Sequence, residues 1–268
     1  MDTPSITDHE FSQFQKLICI IAGINMSPIK KPLVMGRLAK RLSQHGLRSY
    51  GDYFKLLNSG SHPQELQTAV DLLTTNETYF FREPKHFDFL QRKILPSHSH
   101  TKTFRAWSAA CSSGQEAYSV AMVLANALGD SPWEITASDI STRVLDKARK
   151  GHYPLEQVEH IPKEFLTKYC LRGIGSQDGT FIIDRKVRNR VRFSQINLNN
   201  PFPAMEKLDL ILLRNVMIYF NAETKRKVME RMAEILKPGG YLFIGHSESL
   251  NGIYDEFVTI APAIYRKD

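Results

Sequence analysis

The stretch Phe104–Leu124 constrains this chain more than any other. It opens on a short apolar run, Phe104 to Trp107, and passes through small residues only, Ala109-Ala110-Cys111-Ser112-Ser113-Gly114. It closes on Gln115–Leu128, apolar at Tyr118, Val120, Ala121, Met122, Val123 and Leu124, a helix pattern with a thick buried face. The reading is strand, tight turn, helix. Small side chains let a ligand approach the backbone closely. A helix start offers unpaired N–H groups and the positive end of a dipole. Dinucleotide folds seat a pyrophosphate at such a turn, but the G-x-G-x-x-G fingerprint is missing here, with Gly114 the one glycine. Glu116, in the first helical turn, repels phosphate and attracts a cation. A ligand with a cationic end and no phosphate fits better, and S-adenosylmethionine (SAM) combines an ammonium group, a sulfonium, a ribose and an adenine.

The pattern after Phe104 alternates strands with helices, which predicts an α/β, doubly wound sheet. Glu134–Asp139 is the second strand and ends on an acid. Asp139 follows Gly114 by 25 residues, near the spacing at which such folds place a ribose-binding carboxylate. An N-cap for the next helix, Ser141–Lys150, is the competing role, and Ser141 competes for it in turn. Acid, strand and turn occurring together favour the ribose. Asn197 sits at a strand end. Leu208–Leu213 is a continuous apolar run, a buried parallel strand, and it ends on Arg214-Asn215, where open sheets bind ligands. Tyr241–Gly245 is a further strand, with Phe257–Ile260 and Ala263–Tyr265 a closing antiparallel pair. His246 is read as a packed or capping residue.

Leu171–Ser194 interrupts this rhythm with turn chemistry at Gly173, Gly175 and Asp178-Gly179. Phe181–Asp184 and Val191–Ser194 are strand-like, so an antiparallel β insertion is expected over about 171–194. Its Arg185, Lys186, Arg188, Arg190 and Arg192 suit either a charged surface hairpin or an edge strand that captures an extended peptide.

Residues 1–75 read as an all-α domain, joined by a linker at about 76–96 to an α/β domain over 76–268. Thr7-Asp8-His9-Glu10 ahead of Phe11, Phe14, Leu17 and Ile18 is a capping signal followed by helical spacing. Leu33, Val34, Leu38 and Leu42 share one helix face, and Arg37, Lys40 and Arg41 fall opposite. Pro28 to Lys55 holds seven basic residues and one acid, a solvated face or a dock for an acidic helix or a phosphate backbone. Thr74–Arg82 mixes polar Thr75, Asn76, Thr78 and Arg82 with aromatic Tyr79, Phe80 and Phe81, as a hinge or as the wall of a polar site.

Composition bounds the class. The 268 residues are 42% hydrophobic and 24% charged with net charge +7, ordinary for a globular protein with a taste for acidic partners. The opening residues show no export signal, and the apolar run Leu17–Ile24 is far short of the roughly 20 residues of a membrane span. Three scattered cysteines suggest a reducing compartment and no metal site.

Five runs in this order, TTNETYFFRE (74–83), AWSAACSSGQEAYS (106–119), ASDIS (137–141), RNVMIYF (214–220) and LKPGGYLFIGHSESL (236–250), resemble the CheR family of chemoreceptor glutamate O-methyltransferases over nearly the whole chain. The resemblance implies a helical N-terminal domain and a Rossmann-like SAM domain with a small β-subdomain. It implies methyl transfer from SAM to glutamate carboxylates, with S-adenosylhomocysteine as product. SAM contacts would come from Asn76, Thr78, Arg82, Glu116, Asp139, Asn197, Leu198, Arg214 and Asn215. Arg82 would also hold the substrate carboxylate, with Tyr219 on the opposite wall. Gln115 stands where relatives often carry an acid. The implied partner is the helical bundle of a bacterial receptor, met in the cytoplasm by Arg37, Lys40 and Arg41, with no nucleic acid and no membrane insertion. Arg172-Gly173-Ile174-Gly175, with Gly179 following, resembles members that bind a receptor tail peptide, so Gly173, Gly175 and Arg188 are further docking candidates. A nucleic-acid amino methyltransferase is the rival suggested by charge, but Arg214-Asn215-Val216-Met217 replaces its Asn/Asp-Pro-Pro-Tyr/Phe motif. A non-catalytic SAM-binding module is the other rival, opposed by the presence of Arg82 and Tyr219.

Overall fold

The computed structural model describes residues 4–268; the first three residues of the segment read as helical, 1–3, lie outside the described residues. Helix α1 (Asp8–Ala22) starts at a capping box: Thr7 accepts the Glu10 N–H and Glu10 takes the Thr7 N–H at 2.8 Å. It stops at Gly23, whose φ of 71° is left-handed. Helices α2 (Lys31–Gln44), α3 (Tyr50–Asn58) and α4 (Pro63–Leu73) close a bundle around Phe14, Leu38, Tyr50 and Tyr53, all fully buried. After the 74–83 segment, α5 (Pro84–Phe89) runs on through one π-helical turn, Leu90–Ile94.

The second domain begins with β1 (Phe104–Ser108), α6 (Gln115–Leu128), β2 (Trp133–Asp139) and α7 (Thr142–Lys150). Then come β3 (His152–Pro154), α8 (Lys163–Tyr169), β4 (Cys170–Arg172), β5 (Thr180–Ile183), the single turn α9 (Arg185–Arg188) and β6 (Val191–Gln195). β7 (Leu208–Leu213), α10 (Ala222–Ile235), β8 (Leu236–Ile244), β9 (Phe257–Ala261) and β10 (Ile264–Lys267) complete it. The main sheet has the order β6-β2-β1-β7-β8-β10-β9. Its first five strands are parallel, and β10 is antiparallel to both β8 and β9. The strand order, not the strand direction, reverses between β1 and β7, so a crevice opens at their carboxyl ends.

The insertion differs from its expected extent. Val191–Gln195 pairs in parallel with β2, from Ile135↔Val191 to Asp139↔Gln195, and belongs to the main sheet. The small antiparallel sheet is β3-β5-β4, so it starts at His152 and ends at Ile183. Two of its strands are three residues long, too short to show a period. Burial explains where Val191 goes: it joins the core, and Phe193 sets its ring 5.6 Å from that of Tyr118 on α6. Phe181 of β5 is buried against Phe80 and Tyr153.

The two domains are tied backbone to backbone. The Asn25 N–H donates to the Tyr219 carbonyl at 2.7 Å, beside an Ile24–Phe220 bridge. Side chains add to this: Asn197 and Asn199 donate to the Ile21 and Ile20 carbonyls at the end of α1, at 2.6 and 3.0 Å.

Candidate functional site

A cavity of about 340 Å³ occupies the crevice, walled by both domains. That is within the range of small-ligand sites. Ala109, Ala110, Ser112 and Glu116 line it from the β1–α6 turn, Asp139 and Ile140 from the end of β2, and Ile196, Asn197 and Leu198 from the loop after β6. Arg214, Asn215 and Tyr219 line it from beyond β7, and Asn76, Thr78 and Arg82 from the interdomain segment. The nine residues expected to contact SAM, and Tyr219, therefore share one cavity. Ala22, Ile24, Lys30 and Leu33 of the helical domain also line it; Lys30 belongs to the basic run read as a docking face, and the other three were not read as site residues.

Gly114 has a job other than the expected approach to ligand. Its φ is 97°, and a Cβ there would lie 2.9 Å from that of Ala148 and 3.0 Å from the Tyr153 hydroxyl. The glycine lets α7 and β3 close on the turn.

Asp139 is 7% exposed. One carboxylate oxygen accepts the Ser112 N–H and the other the Ser141 N–H, each at 2.9 Å. Each oxygen keeps a second lone pair, which suits a vicinal pair of ribose hydroxyls. Burial raises its pKa, the backbone N–H bonds opposing. Ser112 itself is held at φ 49° and donates its hydroxyl to the Asn76 carbonyl at 2.8 Å.

Arg214 does not reach the cavity as a free cation. Its guanidinium lies 3.0 Å from Glu116 and 3.1 Å from Glu83, and it also donates to the Arg82 carbonyl. Glu116 takes the Ser108 hydroxyl at 2.6 Å on its other oxygen. Burial pushes the Glu116 carboxyl up despite Arg214. For Glu83 burial acts upward too, but Arg214 and the His246 N–H outweigh it and hold the carboxyl low. Sequence pattern gave Glu83 no role in the site; nothing in a linear pattern reports a partner 131 residues away. Glu248 was missed for the same reason. It accepts the Gly245, Asn215 and Ile218 N–H groups at 2.7, 2.9 and 3.2 Å and so shapes the loop after β7.

Phe81, Glu83, Ser112 and Asn215 all have positive φ, from 49° to 61°. Backbone strain of this kind is held by its surroundings and gathers at functional sites. Arg82, between two of these residues, is half-buried with its guanidinium 5.7 Å from the Tyr79 ring and a bond to the Glu77 carbonyl at 3.2 Å. Among the described residues no carboxylate pairs with it, nor with Lys30 of the helical domain, so the cavity has two cations with charge to spare, and Arg82 is its one spare guanidinium. Glu83, His86 and His246 bring three ligating atoms within 4.8 Å of one another, but Arg214 already supplies the positive charge beside Glu83. His246, expected to pack or cap, is exposed and gives its N–H to Glu83 at 3.1 Å.

Two of the three α2 docking candidates have internal work, which corrects their reading as a free basic face. Arg37 donates to the Leu72 and Thr74 carbonyls at 3.1 and 3.0 Å, capping α4, and Arg41 pairs with Glu65. Lys40 is exposed. Of the insertion candidates, Gly173 is required by packing, since a Cβ would meet the Gln177 carbonyl at 2.0 Å, and Gly175 has φ 60°. Arg188 donates to the Lys150 carbonyl at 3.1 Å.

Comparison with known proteins agrees with this geometry in both domains. Residues 76–265 match the CheR methyltransferase SAM-binding domain, and residues 9–74 the CheR methyltransferase all-alpha domain. The chemotaxis protein methyltransferase of Escherichia coli (strain K12) is 38% identical over 266 residues, covering 97% of this chain and 91% of that protein. Chemotaxis protein methyltransferase 2 of Pseudomonas aeruginosa is 42% identical, covering 91% and 87%, and the Borreliella burgdorferi protein 38% identical, covering 98% and 96%. With a switch-point cavity fit for SAM and both domains matched in order, the chain belongs to the CheR family of SAM-dependent chemotaxis methyltransferases.

Proposed function

We propose that the protein methylates glutamate side-chain carboxylates of chemoreceptors, forming methyl esters for sensory adaptation. The observation that carries the reading is Arg82, a guanidinium with no carboxylate partner among the described residues, in the same cavity as the buried acceptor Asp139. SAM, when bound, supplies a methyl group on a sulfonium. Asp139 would take the ribose, and Ile140, Ile196 and Leu198 offer apolar surface for the adenine. Glu116 would meet the cationic end. A free glutamate titrates at about 4.3 and is ionised at neutral pH, so the chain need supply no general base. Its task is alignment and exclusion of water. Arg82 holds one oxygen of the substrate carboxylate, leaving the other to react, and Tyr219 orients the group from the opposite wall.

The receptor is met through its helical bundle, with Lys40 the available cation on α2. A receptor tail peptide suits the free edge of β4, where Leu171 and Ile174 are 55% and 83% exposed beside an open groove. Tethering there raises local concentration without touching the cavity. Among the described residues no helix is long and apolar enough to cross a membrane, in keeping with action at the cytoplasmic part of receptor arrays.

The test uses SAM labelled on its methyl group, receptor-bearing membranes and this protein. Methyl esters release volatile labelled methanol in base, whereas N- and C-methyl products do not. Base-labile label that requires both components is expected. SAM binding without label transfer to any receptor would overturn the carboxylate assignment.

A further inference from the structure

We propose that Asp71, in the last turn of α4 in the helical domain, is a positioning residue for the SAM site: it caps α7 from the other domain and so keeps Asp139 facing the cavity. The inference rests on the reading of that cavity as the SAM site.

A helix begins with N–H groups that have no intrahelical partner, and the N-cap side chain ordinarily takes one. The N-cap of α7 is Ser141, and it makes no such bond. Its hydroxyl is buried without a hydrogen-bond partner. Asp71, 6% exposed, does the work instead. One of its oxygens accepts the Thr142 N–H at 3.1 Å. The other accepts the Arg143 N–H at 3.1 Å and the Thr142 hydroxyl at 2.8 Å. The Arg143 side chain reaches back to the Asp71 carbonyl at 3.3 Å. Gln67, one turn earlier on α4, donates to Asp71 at 2.7 Å and to the Ile140 carbonyl at 3.0 Å. Gln195 donates to the same Ile140 carbonyl and to Gln67.

Two carboxylates thus share three successive N–H groups. Asp139 takes that of Ser141, and Asp71 takes those of Thr142 and Arg143. The division leaves Asp139 its outward lone pairs. Without Asp71, two N–H groups at a part-buried helix start lose their acceptor, which costs the full desolvation of each. The acceptors at hand are the orphaned Ser141 hydroxyl and Asp139 itself. Either remedy shifts the turn that carries Asp139 and Ile140, and the second draws the carboxylate away from the ribose. The same turn of α4 steadies the opposite wall, because Thr74 donates to the Asp71 carbonyl at 3.1 Å just before Asn76 enters the cavity. On this reading the helical domain is a structural half of the cofactor site as well as a receptor dock.

The experiment compares wild type, Asp71→Ala and Asp71→Asn in the full chain. It measures initial rates against SAM at saturating receptor, S-adenosylhomocysteine affinity by calorimetry, and folding by circular dichroism. Asp71→Ala is expected to raise KM for SAM and Kd for the product about tenfold, the scale of an acceptor lost at a buried site, with kcat changed less than about twofold. Asp71→Asn keeps one acceptor oxygen and should recover part of the loss. If Asp71→Ala fails to fold, the asparagine variant carries the test, with a KM raised about threefold. Unchanged KM and Kd in the folded variant, or a fall in kcat alone, overturns the proposal. A wild type that binds neither SAM nor its product overturns the reading of the cavity instead.

Discussion

Arg214 and Glu116 meet at 3.0 Å on side chains that are 1% and 12% exposed, where the residue just after β7 comes against the first turn of α6. Glu83 completes the arrangement from the interdomain segment. One cation thus joins three elements that no single helix or strand would hold together. Arg214→Ala leaves two largely buried carboxylates without their partner, and we expect a loss of about 3–5 kcal/mol in urea unfolding. Arg214→Lys keeps the charge but not the planar fork and should recover only part. Wild-type stability in the alanine variant would show that the trio contributes nothing.

Ligand affinity should weaken on the acid side sooner than ordinary carboxylates predict. Burial raises both Glu116 and Asp139 above the usual 4.5 and 3.8. In the proposed roles both act ionised, Glu116 toward the cationic end of SAM and Asp139 toward the ribose hydroxyls. As pH falls through their raised values, affinity for the product is lost. Stability moves the other way: with folded values raised, these two groups favour the folded state more as pH falls, and that contribution disappears as pH rises through the folded values. Calorimetric titrations from pH 8 down to 4.5 check the first trend. A flat affinity over that range contradicts it.

Glu65 runs in the opposite direction. Burial raises it, yet bonds from Arg41, Tyr53 and His45 prevail and bring it down to about 2. A lowered carboxyl contributes stability above its unfolded value of about 4.5 and loses it as pH falls through about 2, worth about 3 kcal/mol for this 8% exposed side chain. Glu65→Gln should lose most of that at pH 7 and flatten the acid limb of the stability curve. An acid limb identical to wild type would reject the assignment.

Arg82→Ala should lower kcat for receptor methylation about 100-fold, the usual scale for removing one aligned donor from a reacting group. The fold should survive, since Arg82 makes one carbonyl bond and no ion pair among the described residues. Single-turnover rates with saturating SAM separate this from weakened cofactor binding. Normal turnover removes Arg82 from the chemistry.

Charge reversal on α2 should give two different results. Lys40→Glu is expected to slow receptor methylation several-fold and steepen nothing in thermal unfolding, because the side chain is exposed. Arg37→Glu strips the cap from α4 and should lower the melting temperature, so its activity loss does not report docking. Equal unfolding curves for the two variants would contradict the capping role.

Local chemistry is what the sequence determined. Thr7 and Glu10 cap α1 because a capping box lies within four consecutive residues. The β1–α6 turn, the acid ending β2 and the Arg-Asn pair ending β7 were legible because period, small residues and strand ends are read within short windows. The resemblance added Asn76, Thr78 and Asn197, which pattern alone left open. Only the tertiary structure decided which partner each charge would meet. Arg37 and Arg41 look alike on the α2 face, yet one caps α4 and the other neutralises Glu65. Val191 looked like half of a hairpin, yet β2 offered a parallel edge beside the core. Asp71 reads as an ordinary polar residue on α4, and its partners lie 71 and 72 residues away. Such pairings depend on desolvation and on distances set by the whole fold, and a linear pattern carries neither.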